Sequence, residues 1–266
     1  KYEEYTKTFP AMFTVLDHKF CVGDPMVLFM EGKHVNVPVM SGNTSDEFPS
    51  YIEASSKEDL KKKAEEIFGK NAETFLCFPE AMQEDSDGKY AKVNGIECTI
   101  KCLFSDKKSA GEKKPYYYYR FDPDIPGWDN AGTFHSVDLW FFFETLAKCW
   151  RPFVGQHYDL SRMMCNYWVN FIKTGDPNGN DADGKPMPYW YPYEKEKPCE
   201  MIFMSDRPVV NCGWVTPFKE FLQEQIKKTL PIGKVFHKEW LEPIWEGGYC
   251  FRETFAAVAD ENGCRA

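Results

Sequence analysis

The amino-acid sequence predicts an α/β fold, in which strands are separated by helices and long loops. Two features of the sequence pattern carry this prediction: short segments rich in β-branched or aromatic residues, and longer segments whose apolar residues recur at helical spacing. A third is composition. The chain has 266 residues, of which 43% are hydrophobic and 17% aromatic, so it can bury a sizeable core.

Two segments have the composition of strands. Residues 34–42, HVNVPVMSG, alternate valine with other residues, and Pro38 lacks a backbone donor, which indicates a strand start or a locally unpaired position. Residues 114–122, KPYYYYRFD, contain four consecutive tyrosines. Such a run is typical of a strand covered on both faces, with the hydroxyls finding partners at the rim.

Four segments are predicted as helices: residues 55–69, 137–148, 160–175 and 216–230. The first begins with a capping box of Ser55 and Glu58 and ends at Gly69. The last has Thr216 as its N-cap and Pro217 at its first position. The predicted inner faces are Leu60, Ala64, Ile67 and Phe68 of the first helix, and Leu160, Met163, Met164, Tyr167, Trp168, Phe171 and Ile172 of the third.

Charge, hydropathy and cysteine spacing argue against a nucleic-acid binder, a membrane-spanning protein and a zinc-binding protein. The net charge of −9 argues against a nucleic-acid binder, and no apolar run approaches the roughly 18 residues of a membrane span. The ten cysteines are scattered, without zinc spacing. Since no export signal is visible, we expect a cytoplasmic protein with reduced thiols, and secretion is the alternative.

The domain organisation is predicted as one main part, residues 1–230, followed by residues 231–266. The second part is rich in tryptophan, proline and glycine, and is either a tail or the start of a further domain. The first residues, KYEEYTKTFP, have neither an initiator methionine nor a signal peptide, so we expect the chain to begin inside a longer polypeptide.

Two candidate chemical groups lie on loops that follow the predicted strands. The stretch SGNTSDEF carries Asp46 and Glu47, and His135 follows the tyrosine strand in GTFHSVDLWFFF. An acid that precedes a histidine has the order of the orienter and general base of a nucleophile–histidine–acid triad. On these residues alone, a structural histidine beside a structural acid is the simpler interpretation.

Four stretches together resemble a known family. They are TVLDHKFCVGDPMVLFMEGKHVNVPVMSGNTSDEF, GTFHSVDLWFFF, NYWVNFIKTGDPN and MPYWYPYE, and they occur in that family's order over roughly residues 8–225. The chain resembles the C-terminal half of a type-B carboxylesterase, the α/β-hydrolase family that includes the cholinesterases. The resemblance implies the C-terminal half of that fold: a mostly parallel sheet flanked by helices and completed by a missing N-terminal half.

The resemblance also implies roles for individual residues. It makes His135 the general base and Glu47 the triad acid, with Asp46 as the competing acid. It places Ser136 and Asp138, like Asp46, at positions that shape the loops. No metal or organic cofactor is implied.

The nucleophile of this family is missing from the sequence. No Gly-x-Ser-x-Gly stretch occurs, and the nearest string, KKSAG at residues 107–111, lacks the first glycine. The resemblance therefore implies a partner, either a separate chain or a cleaved N-terminal fragment, that supplies the serine, the oxyanion hole and the first strands. The substrate would be a small-molecule ester. The alternative is a non-catalytic cholinesterase-like binding or adhesion module.

The resemblance raises one further hypothesis, a disulfide. Secreted members of the family join this region to the last helix, which would pair Cys102 or Cys98 with Cys212. In a cytoplasmic protein this bond is not expected.

Overall fold

The structure is a computed structural model that describes residues 14–16, 18–23, 25–47, 50–85, 88–229 and 235–237. The chain divides into two units, residues 36–228 and residues 1–35 together with 229–266. Nearly all of the predicted tail, residues 231–266, and the Phe48-Pro49 pair after the acid loop lie outside the described residues. The predicted domain boundary at residue 230 stays a prediction.

The elements of the described chain follow in order. The strands are β1 (Thr14–Leu16), β2 (Val39–Thr44), β3 (Ile52–Ala54), β4 (Tyr90–Val93), β5 (Tyr116–Phe121), β6 (Cys199–Phe203), β7 (Pro208–Cys212) and β8 (Val235–His237). The α-helices are α1 (Pro25–Met30), α2 (Lys57–Phe68), α3 (Ala72–Leu76), α4 (Pro79–Met82), α5 (Gly95–Ser109), α6 (Asp138–Phe142), α7 (Gly155–Thr174) and α8 (Pro217–Thr229). Single 3₁₀ turns occupy Gly69–Asn71 and Leu146–Lys148.

The main sheet of the larger unit has the strand order β2-β5-β6-β7. β2, β5 and β6 are parallel, and β7 returns antiparallel to β6. β3 and β4 form a separate antiparallel pair, and in the smaller unit β1 pairs with β8 in parallel. The prediction of an α/β protein with a mostly parallel sheet flanked by helices is confirmed.

The first predicted strand lies several residues later than expected. β2 begins at Val39, whose N–H donates to the carbonyl of Pro115 at 3.1 Å, and residues 34–38 are outside it. Pro38 has no N–H to donate, so the ladder starts at the next residue. At its other end β2 runs past Gly42 to Thr44. Gly42 is required there because the ring and carbonyl of Tyr119 occupy the space of a β-carbon.

The tyrosine strand β5 is covered on both faces, as predicted. Tyr117 and Tyr119 face the main core with α6 and α7, whereas α5 covers the opposite face, where the Phe104 ring lies 4.8 Å from that of Tyr116. The Tyr118 hydroxyl donates to Asn43, and the Tyr119 hydroxyl donates to Asp138. The main core consists of Tyr117, Tyr119, Phe121, Ile125, Val137, Phe141, Leu146, Leu160, Met164, Tyr167, Met187, Trp190, Met201 and Phe203.

Helix α2 confirms the predicted end at Gly69 and corrects its start by one residue. The helix begins at Lys57, so its N-cap is Ser56, whose hydroxyl accepts from the N–H of Asp59 at 3.1 Å. Ser55 instead donates through its N–H and hydroxyl to the Asp59 carboxylate. The inner face is otherwise as predicted, except that Ile67 is exposed.

Helix α7 is longer than predicted at its start and ends where predicted. It begins at Gly155, and Gly175 ends it with φ +78°, a left-handed conformation that glycine adopts without strain. Ile172 was placed on the inner face, but it is 77% exposed. In the described part of the chain, no helix is long and apolar enough to cross a membrane.

The predicted helix over residues 137–148 is interrupted. It forms only the short α6 and a 3₁₀ turn, with Glu144 between them at φ +49°. That backbone conformation cannot continue a right-handed helix. The last predicted helix is confirmed: α8 starts at Pro217, and the N–H of Lys219 donates to the Thr216 hydroxyl at 3.3 Å.

The β6–β7 hairpin carries the disulfide of the described chain. Cys199 and Cys212 are directly opposite each other in the ladder and are bonded, with their Cα atoms 4.1 Å apart. The pairing of Cys212 with Cys102 or Cys98 is therefore wrong. Both of those thiols are free, and burial raises the pKa of Cys102 to about 11 and that of Cys98 to about 12.

Candidate active site

The candidate site lies at the carboxyl ends of two neighbouring parallel strands. β2 and β5 end in register, with Thr44 opposite Phe121, and the N–H of Ser45 continues the ladder by donating to the Phe121 carbonyl at 3.0 Å. Parallel strands send their following loops to the same edge of the sheet, which is where α/β proteins place functional groups. Asp46 and Glu47 follow β2 directly, and His135 lies on the connection that leaves β5.

Glu47 and His135 are hydrogen-bonded to each other although 88 residues separate them. His135 Nδ1 lies 3.0 Å from Glu47 Oε2. The same carboxylate oxygen accepts from the Thr44 hydroxyl at 3.2 Å. The Glu47 side chain is 10% exposed and the His135 side chain 58%. The acid is thus held inside the protein while the imidazole lies at the surface.

The bond to Glu47 defines the tautomer of His135. An ionised carboxylate only accepts hydrogen bonds, so Nδ1 is assigned as the N–H that donates to it. In the neutral imidazole the basic lone pair is then on Nε2. A histidine whose Nδ1–H is held by a buried acid is the arrangement in which Nε2 takes a proton from a nucleophile.

The aromatic residues around His135 hold its loop against the core. The Phe134 ring packs edge-on against Trp140 at 5.9 Å, and the Arg151 guanidinium lies 5.2 Å from the Phe134 centroid. Phe141 is fully buried in the main core. His135 is followed by Ser136 at φ +69°, a strained conformation for a residue other than glycine.

Asp46, the competing acid, contacts a different partner. Its Oδ2 accepts from both the N–H and the hydroxyl of Thr133 at 3.0 Å, and Lys92 Nζ lies 3.4 Å from its Oδ1. Partial burial raises the pKa of Asp46, but the hydrogen bonds from Thr133 and the charge of Lys92 outweigh that effect and lower it overall. The structure therefore brings His135 together with Glu47, and Asp46 together with Thr133.

The two other flanking residues differ in their surroundings. Asp138 is buried and accepts from the Tyr119 hydroxyl at 3.1 Å. Burial raises the pKa of Asp138, and the negative charge of Glu47 raises it further, while the bond from Tyr119 partly opposes both. Ser136 is exposed. Sequence reasoning missed Thr44, Thr133 and Lys92. The contacts of Thr133 and Lys92 to Asp46 join distant parts of the chain, and that of Thr44 to Glu47 depends on how the acid loop turns, so none of them leaves a sequence pattern.

A histidine paired with an acid in this way has the chemistry of a base and its orienting acid, the two groups that activate a hydroxyl nucleophile. Within the described segments, no group of three or more histidine, cysteine, aspartate or glutamate side chains could hold a metal ion.

Comparison with known proteins finds similarity to carboxylesterases. Residues 93–211 match the model of the carboxylesterase family, a segment that contains His135, whereas Glu47 precedes it. The chain is 22% identical to the cocaine esterase of Homo sapiens over 217 residues, or 72% of this chain and 38% of that protein. It is 27% identical to carboxylesterase 4A of Bos taurus over 234 residues, or 77% of this chain and 40% of that protein.

A solved esterase from Clostridium hathewayi is 24% identical, with a TM-score of 0.44 and coverage of 73% of this chain and 38% of that one. The alignments to the two mammalian esterases span 38% and 40% of those proteins. A segment of the chain therefore matches the carboxylesterase family, and the two mammalian esterases are similar to the chain at low identity over about two fifths of their own length.

Proposed function

We propose that this chain supplies the general base and the acid of a Ser-His-Glu triad in a carboxylic ester hydrolase. The observation that carries the proposal is the 3.0 Å contact between His135 Nδ1 and Glu47 Oε2, at the carboxyl edge of a parallel sheet. The carboxylesterase-family match supports the reaction class. In this proposal the acid is Glu47, because the Asp46 carboxylate is bonded to Thr133.

The proposed reaction is acyl transfer in two halves. A serine hydroxyl attacks the ester carbonyl while His135 Nε2 takes its proton, and Glu47 stabilises the imidazolium that forms. The tetrahedral intermediate expels the alcohol, which receives the proton from His135. A water molecule then attacks the acyl-enzyme, again giving its proton to His135, and the collapse of the second intermediate releases the acid and restores the serine.

A partner segment is part of the proposal because no nucleophile elbow occurs in the sequence. The outer edge of β2 supports it. Val39 and Ser45 donate toward β5, so the backbone groups of Met40 and Gly42 point to the other side, and no described strand pairs there. β2 also carries no charge that would discourage further pairing. The partner would be an N-terminal segment of the esterase that brings the serine, the oxyanion donors and further strands.

The partner requirement is tested by expressing residues 1–266 with and without the N-terminal segment. We expect this chain alone to aggregate or to unfold without a cooperative transition, because β2 would expose its edge. Co-expression with the N-terminal segment should give a soluble complex with a single thermal transition. Circular dichroism and analytical ultracentrifugation measure both outcomes. A soluble monomer of this chain that unfolds cooperatively would contradict the partner proposal.

The nucleophile is tested by labelling the complete protein with a fluorophosphonate and mapping the adduct by mass spectrometry. We expect one labelled serine, outside residues 1–266 and within a Gly-x-Ser-x-Gly sequence, because only a serine activated by His135 reacts rapidly. The His135→Ala variant should label far more slowly. Adduct on a residue of this chain would overturn the proposed division of the triad. A complete protein that does not label at all would favour the non-catalytic binding module.

A further inference from the structure

We propose that Asp46 is a positioning residue that clamps the histidine loop onto the acid loop through Thr133, and thereby holds His135 at hydrogen-bonding distance from Glu47. The inference rests on the proposed function, since it concerns the base and acid of the same triad. It gives Asp46 a role other than that of a second acid.

The clamp consists of three hydrogen bonds between two residues. Asp46 Oδ2 accepts from the N–H and from the hydroxyl of Thr133, each at 3.0 Å. In return the N–H of Asp46 donates to the Thr133 carbonyl at 3.2 Å. Asp46 precedes Glu47 directly, and Thr133 lies two residues before His135. The clamp therefore joins the two loops immediately beside the pair that must stay in contact.

The backbone next to Thr133 is shaped to admit the Asp46 carboxylate. Gly132 has φ +61°, and a β-carbon there would lie 2.6 Å from Asp46 Oδ2. Only glycine combines that conformation with so close an approach. Thr133 itself is buried, so water does not compete well for its bonds to the carboxylate. The segment GTFH is thus formed around the Asp46 side chain.

A lysine from the β3–β4 pair supports the clamp from the other side. Lys92 Nζ lies 3.4 Å from Asp46 Oδ1, and the Asn94 side chain donates to the Ser45 carbonyl at 3.4 Å. Both Lys92 and Asp46 are more than 40% exposed, so their ion pair contributes little to stability in water. Its role in the clamp is to hold the Asp46 carboxylate in the orientation in which Oδ2 faces Thr133.

Loss of the clamp would change catalysis more than it changes folding. The contact between His135 Nδ1 and Glu47 Oε2 spans the two loops that the clamp joins, and the imidazole is 58% exposed, so a shift between these loops would change the distance between the two residues. A displacement of about 1 Å in a catalytic group can lower a rate roughly 100-fold. We therefore expect Asp46→Ala to lower kcat/KM of the complete protein by about 100-fold, mainly through kcat.

The test combines ester kinetics with NMR of the His135 imidazole in the complete protein, using p-nitrophenyl acetate as the probe. In Asp46→Ala, and in Thr133→Val, the downfield Nδ1–H resonance of the bond to Glu47 should broaden or disappear. Thr133→Ser keeps the hydroxyl, so it should retain the resonance and a rate within about threefold of the unmodified protein. Lys92→Met should have a smaller effect than Asp46→Ala.

Lys89→Met is the matched control, because Lys89 lies beside the same strand pair and 3.9 Å from Glu53 rather than Asp46. It should leave the resonance and the rate unchanged. If Asp46→Ala does not fold, the Nδ1–H resonance of Thr133→Val decides whether the clamp holds His135 near Glu47. An unchanged Nδ1–H resonance in a folded variant overturns the clamp. An unmodified protein that fails to hydrolyse esters overturns the proposed function instead, and the resonance still decides the clamp.

Discussion

Replacing His135 with alanine in the complete protein is expected to lower kcat for ester hydrolysis by roughly 10⁴-fold or more, with no loss of thermal stability. The catalytic loss follows because the serine hydroxyl would have no base within reach and the leaving alcohol no acid. Stability should be unchanged because the imidazole is 58% exposed and its main partner, Glu47, remains bonded to Thr44. Steady-state kinetics and thermal unfolding of the same preparation measure both effects.

Glu47→Gln extends this test to the acid. The amide keeps the size of the side chain but removes the charge that stabilises the imidazolium, and it can present an N–H to Nδ1 and favour the wrong tautomer. We expect a loss of about 10²- to 10⁴-fold in kcat, and a double variant no worse than His135→Ala alone, because the two residues act as a unit. Additive losses would argue that they act separately.

His157→Ala is the matched histidine control. His157 is buried at the start of α7, where its Nδ1 accepts from the N–H of Val154 at 2.9 Å. Its replacement should cost stability by about 1–3 kcal/mol and leave kcat unchanged, the reverse of the result at His135. A His135→Ala enzyme with kcat near that of the unmodified protein would remove His135 from the mechanism.

The largest stability effect is expected from Lys101→Met. Lys101 is 14% exposed and lies between two carboxylates, 2.5 Å from Glu97 and 2.7 Å from Glu200, with the Tyr118 ring 4.6 Å away. These contacts join α5 to β5 and β6. Without the Lys101 cation, the buried Glu200 carboxylate loses one of its two hydrogen-bond donors and keeps the bond from the Asn211 side chain. We expect a loss of about 3 kcal/mol in the free energy of unfolding at pH 7.

The penalty of Lys101→Met should depend on pH. Burial raises the pKa of Glu200, but Lys101 and Asn211 outweigh it and lower the pKa below its ordinary value. In the unfolded chain the pKa of a glutamate is about 4.3. Because the pKa of Glu200 is lower in the folded protein, Glu200 stabilises the fold at a pH above about 4.3, and this stabilisation is lost as the pH falls through the pKa of the folded state. In Lys101→Met the charge of Lys101 no longer offsets the cost of burying the ionised Glu200 carboxylate. Protonation of Glu200 at low pH removes that charge, so the loss of stability caused by the substitution becomes smaller.

Denaturant unfolding at pH 7 and at pH 4.5 measures this difference. The penalty of Lys101→Met should shrink at the lower pH, whereas Lys185→Met should leave the stability nearly unchanged at either pH. Lys185 is the matched control because it pairs with Asp183 at 2.8 Å while its side chain is 81% exposed. A Lys101→Met penalty that is small, or equal at both pH values, would contradict the role given to this cluster.

Local signals in the sequence were reliable where one residue determines its own backbone or cap. Gly69 and Gly175 end helices, and Pro217 starts one. The tyrosine strand was identified because four large rings in succession need two covered faces. The sequence does not distinguish Ser55 from Ser56 as the N-cap, because each serine lies three residues before an acid, Glu58 or Asp59. The packing of the helix selects Ser56.

Elements without such signals were missed. Helix α5 buries Lys107 as well as Cys102 and Phe104, so its pattern is not that of a simple apolar stripe. The β6–β7 hairpin is recognisable only once its strands pair, and Cys199 was not considered a partner for Cys212 because nothing in the sequence selects it among ten cysteines. The helix after His135 was expected to be continuous, but the chain turns at Glu144.

The nature of the candidate groups came from the sequence: an acid loop and a histidine loop, each after a strand, in the order of an α/β hydrolase. Their pairing depends on the three-dimensional fold. Glu47 rather than Asp46 reaches His135 because β2 and β5 end in register and Asp46 is turned toward Thr133. A hydrogen bond depends on tenths of an ångström between loops about 88 residues apart, and only the sheet that brings the loops together determines that distance.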